Sequence, residues 1–149
     1  MRRSTPWDMR LLIAVFFVLL GDLSAEPSGR IVIDLDGIET ARGGSILVAL
    51  FNKADQFPSG AGAFRKLKLV PGRGVSGVFD NLPEGEYAVS VVHDVNGNEK
   101  MDMKWLPFPH PGEGYAISNN ATGVMGPPKF SDAKFTVAGE VRLQLTLKY

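Results

Sequence analysis

The 149-residue chain contains no cysteine. That absence excludes disulfide stapling, a thiolate metal site, a cysteine nucleophile and a lipid anchor carried on a cysteine. Histidine is almost as scarce, with only His93 and His110. Net charge is lacking too: 16 basic residues face 16 acidic ones, and no block of one sign stands out. Nucleic acid is therefore not an expected partner. No serine occupies a G-x-S-x-G turn. The Gly72-Arg73-Gly74 and Gly112-Glu113-Gly114 triplets are too short to cradle a phosphate. There are no useful internal repeats and no convincing amphipathic helix.

One long apolar run is present, from Leu11 to Leu20, behind Arg2, Arg3 and Arg10. As a helix it rises only ~15 Å, about half a hydrocarbon core. A positive start followed by a short apolar run is the pattern of a signal peptide. Leu23-Ser24-Ala25 supplies a small residue before Glu26, so cleavage is expected after Ala25. The expected organisation is a leader over 1–25 and a single domain over 26–149, with no membrane span after cleavage. The mature part keeps 13 basic and 14 acidic residues. It is expected in the periplasm or outside the cell, as a monomer, held together by its core.

That core is written in period two. Val141, Leu143, Leu145 and Leu147 alternate with Arg142, Gln144, Thr146 and Lys148. Successive strand side chains point to opposite faces, so one face is apolar and the other wet. Arg30–Asp36 repeats the pattern, and Ser45–Phe51 is apolar throughout, as a strand covered on both sides is. Phe64–Val70 and Val75–Asp80 flank the turn-rich Pro71-Gly72-Arg73-Gly74 and read as a hairpin. Tyr87–Val92 and Lys134–Val137 complete the set. About seven short strands with regular turns predict an all-β, immunoglobulin-like or transthyretin-like two-sheet sandwich. Leu82-Pro83-Glu84-Gly85 followed by Tyr87 resembles the tyrosine-bearing corner of transthyretin-like and collagen-adhesin B-type sandwiches, a sign of fold and not of activity.

Alternation stops between Val92 and Phe130. So long a connection in a compact domain is functional or disordered, and Trp105, Leu106, Phe108, Tyr115, Ile117, Met125 and Phe130 supply apolar anchors for an ordered one. Within it, Asp94, Asn96, Asn98 and Asp102 stand at relative positions one, three, five and nine, the ligand spacing of an EF-hand-type calcium loop. The Lys100 carbonyl occupies the seventh position. Hard oxygen donors suit calcium. Glu99 stands where such loops use glycine and Trp105 where they use a bidentate glutamate, so Glu113 or water has to close the shell. With so few carboxylates the expected affinity is weak, on the order of 10⁻⁴ to 10⁻³ M. The competing reading is a dry loop in which Asp and Asn bond their own backbone. His93 continues the Tyr87-Val89-Val91 face and reads as a hydrogen-bonded rim residue, and no spacing links it with His110 as a zinc pair.

In order along the chain stand Leu82-Pro83-Glu84-Gly85-Glu86-Tyr87-Ala88, His93-Asp94-Val95-Asn96-Gly97-Asn98 with Asp102, Glu113-Gly114-Tyr115, Ser118-Asn119-Asn120 and Gly126-Pro127-Pro128-Lys129-Phe130. This set resembles the bacterial exported family called domain of unknown function 2141, from about Gly29 to Tyr149. The resemblance implies an exported sandwich and no known reaction. It also implies glycine at the position of Glu99 and a shorter link than Pro107–Gly112. The expected role is a non-enzymatic module presenting its Asp94–Asp102 loop to a protein or a glycan. The alternative is a periplasmic hydrolase using His93 and neighbouring carboxylates.

Overall fold

A computed structural model describes residues 28–104, 110–124 and 126–149. The leader with its cut after Ala25 and the anchors Trp105, Leu106, Phe108 and Met125 lie outside the described residues. Ten strands and one short α-helix follow in order among the described residues: β1 (Gly29–Asp36), β2 (Ser45–Phe51), β3 (Arg65–Leu69), β4 (Val75–Leu82), β5 (Gly85–Asp94), β6 (Met103–Lys104), β7 (His110–Pro111), β8 (Gly114–Ile117), α1 (Phe130–Ala133), β9 (Phe135–Val137) and β10 (Glu140–Thr146). Among the described residues no helix is long and apolar enough to cross a membrane.

Two sheets pack face to face. One has the order β10-β1-β4, the other β3-β2-β5-β8, with β9 also pairing β5. β1 runs parallel to β10, with Ile33 opposite Leu143, and antiparallel to β4. The predicted alternation fills the space between the sheets: Ile31, Ile33, Leu35, Phe79 and Leu145 meet Ile46, Val48, Leu50, Val89 and Val91. Each such side chain contributes roughly 1.5–3 kcal/mol when fully withdrawn from water. The Tyr87 hydroxyl donates to the Pro83 carbonyl at 2.8 Å, which closes the corner anticipated from Leu82-Pro83-Glu84-Gly85. Burial raises the Tyr87 phenol above its ordinary pKa, against the lowering pull of Arg65.

The expected hairpin of Phe64–Val70 with Val75–Asp80 is not formed. β3 pairs β2, whereas β4 pairs β1 in the opposite sheet. Pro71-Gly72-Arg73-Gly74 is thus an arch that carries the chain from one sheet to the other. Alternation marks a strand's faces but not its partner, and an arch uses the same turn residues as a hairpin.

The long connection contains a strand that alternation did not reveal. β8 lies beside β5, with Ala116 opposite Val91 and Gly114 opposite His93. Its outer neighbours form a second apolar cluster of Ala88, Ile117 and Ala133, joined by Phe57, Tyr115, Ala121 and Phe130. Ser118, fully buried, fastens this layer: its Oγ accepts from the Val89 amide at 2.9 Å and donates to the Ala133 carbonyl at 2.6 Å. β5 is therefore covered on both faces, and its C-terminal end delivers His93 and Asp94 to one edge of the sandwich.

Candidate functional site

Asp94 is the last residue of β5 and is completely buried. Its carboxylate organises the loop that follows. Oδ1 accepts from the Gly97 amide at 2.8 Å and the Asn98 amide at 3.2 Å, and Oδ2 accepts from the Glu99 amide at 3.0 Å. Three successive N–H groups can aim at one side chain only where the backbone curls tightly. Gly97 and Glu99 supply that curl with φ of 76° and 58°. The left-handed region costs a residue with a Cβ about 1–2 kcal/mol, so Glu99 carries strain that glycine, expected here from the family resemblance, does not.

The other loop residues close on one another. The Asn96 amide Nδ2 donates to Asp102 Oδ2 at 2.6 Å, and Asn98 Nδ2 donates to Asp102 Oδ1 at 2.9 Å. Asn96 Oδ1 accepts from the Asn98 amide at 3.1 Å, and Asn98 Oδ1 accepts from the Lys100 amide at 2.9 Å. Lys100 thus enters the network through its N–H. Glu113, just before β8 and 6 % exposed, reaches both ends of the loop: Oε1 accepts from Val95 N at 2.9 Å and Oε2 from Asp102 N at 3.3 Å. The spacing of Asp94, Asn96, Asn98 and Asp102 did gather these side chains into one cluster, with Glu113 beside them.

The donors are carboxylate, amide and carbonyl oxygens, a hard set that suits calcium. The side chains to hold such a cation would be those of Asp94, Asn96, Asn98 and Asp102, with the Lys100 carbonyl and Glu113. Among the described residues no group of three or more His, Cys, Asp or Glu side chains is gathered closely enough to hold a metal by itself. Amide oxygens and water must therefore complete any shell. The Asn96 and Asn98 amides at present turn their NH₂ groups, not their oxygens, toward Asp102.

His93 is fully buried, and both ring nitrogens are engaged. Nε2 lies 2.7 Å from the Gly43 carbonyl and Nδ1 2.7 Å from the Tyr149 hydroxyl. A carbonyl only accepts, so Nε2 carries the proton and Nδ1 accepts from Tyr149. The Tyr149 oxygen in turn accepts from the Glu39 amide at 2.9 Å. Burial raises the Tyr149 phenol above its ordinary value, against the lowering pull of the Glu39 amide hydrogen bond. The Arg42 guanidinium lies 4.9 Å from the centre of the Tyr149 ring and pairs with Glu39. Neither partner of His93 is a carboxylate, and neither nitrogen is free. Adjacent strand residues face opposite ways, so Asp94 serves the loop while His93 serves the rim.

Two glycines let these parts approach, a role that the sequence did not announce. Gly114 lies against Tyr149, where a Cβ would overlap the ring. Gly44, with φ of 73°, lies against the backbone of Asp94 and Val95. Their only sequence signal is the Gly43-Gly44 pair and the glycines flanking Glu113.

No match was found among curated proteins or among solved structures. Residues 33–144 match the sequence model of a family described as "Uncharacterized protein conserved in bacteria (DUF2141)". That span runs from the second half of β1 into β10 and includes the Asp94–Asp102 loop and Glu113. The chain belongs to the domain of unknown function 2141 family.

Proposed function

We propose that the protein is an exported, non-catalytic sandwich module whose Asp94–Asp102 loop binds calcium weakly and offers a rigid surface to a protein or glycan. The observation that carries this reading is Glu113. It accepts from Val95 N and Asp102 N, so it ties down both loop ends and brings the loop one carboxylate more than the loop's own spacing supplies. Loops fixed on a rigid sandwich are where such domains recognise their partners. The hydrolase alternative draws no support from His93, whose nitrogens are both occupied within the core.

A second reading is favoured by a specific observation. Each carboxylate oxygen of Asp94, Asp102 and Glu113 already accepts an N–H. On that reading the loop is a dry recognition surface closed by hydrogen bonds alone. Thermal unfolding of the Glu26–Tyr149 chain with chelator, or with calcium or magnesium raised to about 0.1 M, 100 times the weakest expected dissociation constant, separates the two. Calcium at 100 times its dissociation constant should add about 2.7 kcal/mol, a rise of several degrees, and Asp102→Ala should abolish it. An unchanged midpoint removes calcium and leaves the dry surface.

Export rests on the N-terminal sequence. Protein recovered from the periplasmic fraction of a Gram-negative host should begin at Glu26 by intact mass. Full-length protein retained with the membrane would show that residues 1–25 act as an anchor.

A further inference from the structure

Asn96-Gly97 is the one Asn-Gly pair in the sequence. It is the dipeptide best suited to spontaneous deamidation, because glycine has no side chain to shield its backbone nitrogen. Both residues are exposed, so water reaches them. In the reaction the Gly97 nitrogen gives up its proton and bonds to Asn96 Cγ. The Cγ–Nδ2 bond breaks, and Nδ2 leaves as ammonia with that proton. Water then opens the cyclic imide at either carbonyl and leaves aspartate or isoaspartate.

We propose that Asn96 is a latent deamidation site, kept intact by the clamp of Asp94, Asn98 and Asp102 and converted once that clamp opens. Every atom the reaction must move is held. The attacking nitrogen, Gly97 N, is bound to Asp94 Oδ1 at 2.8 Å. The side-chain oxygen Asn96 Oδ1 is held by the Asn98 amide at 3.1 Å, and the departing Nδ2 by Asp102 Oδ2 at 2.6 Å. Cyclisation requires the Asn96 side chain to swing free of two partners while the Gly97 N–H leaves a third. The product cannot revert. An aspartate at this position loses the donor that met Asp102 and sets a like charge against it. An isoaspartate also lengthens the loop backbone by one carbon. The conversion is therefore an irreversible record of loop opening, whether or not the loop takes up calcium.

The test uses the folded protein and the same chain held unfolded in guanidinium, both in mildly alkaline, calcium-free buffer. Peptide mapping by mass spectrometry follows the amide-to-acid conversion at Asn96. Folded protein should convert roughly tenfold or more slowly than unfolded chain, since three hydrogen bonds must open first. Asp102→Ala, confirmed as folded by circular dichroism, should convert faster than the folded parent. Equal rates in folded and unfolded parent would overturn the proposal. A folded Asp102→Ala variant with the parent's rate would overturn the role given to the clamp.

Discussion

Asp94→Ala is expected to destabilise the protein by about 2–4 kcal/mol, the largest loss available from a single polar side chain near the loop. The carboxylate is completely buried and accepts three backbone N–H groups. A hydrogen bond to a charged group is worth about 1.5–3 kcal/mol, but Gly97, Asn98 and Glu99 are exposed, so water recovers part of each. In a domain of this size that loss lowers the melting temperature by about 10 °C. Amide exchange should localise the damage, with protection lost first at residues 97–99. Asp102→Ala is the control. Among the described residues its carboxylate meets only the side-chain amides of two exposed residues, so its cost should stay near 1 kcal/mol or less. If the two variants lose equal stability, Asp94 is not the organiser of the loop.

These two aspartates also mark how far the sequence can be read. Their spacing is local: residues one, three, five and nine of a curling segment converge by backbone geometry alone, so the cluster was legible without knowing the fold. Strand faces were legible for the same reason, as in Ile31-Ile33-Leu35 and Val141-Leu143-Leu145. What escaped was long-range. The arch at Pro71–Gly74 looked like a hairpin because pairing of β3 with β2 and of β4 with β1 is decided across the core, not at the turn. β8 was hidden because Gly114-Tyr115-Ala116-Ile117 is covered on both faces, by β5's neighbours and by the Phe57–Phe130 layer, so no polar residue alternates to announce it. His93 was placed on the correct face, yet nothing near it in the chain could reveal that Tyr149 and Gly43 close its two nitrogens.

Gly44→Ala is the second change with a large expected effect, and it tests whether the loop depends on the sandwich beneath it. Gly44 has φ of 73°, and a Cβ there would overlap the Asp94 carbonyl oxygen and come 2.7 Å from Val95 Cα. Both neighbours are backbone at the end of a paired strand, where Ser45 sits opposite Asp94, so neither can swing aside as a side chain would. The conformational cost of about 1–2 kcal/mol adds to an overpacking cost of about 1–3 kcal/mol, for a total of about 2–5 kcal/mol. Gly74 offers the comparison, since its φ is 62° but a Cβ there meets nothing within 4 Å. Gly74→Ala should therefore lose only the conformational part, about 1–2 kcal/mol. The difference between the two variants in denaturant unfolding measures the clash alone. Displacing Asp94 should also loosen its hold on Gly97–Glu99, so Gly44→Ala should lose exchange protection there while Gly74→Ala does not. Equal losses from both glycines would mean that the Asp94 backbone yields to the added methyl, and that the loop is not braced by the sheet edge as its geometry implies.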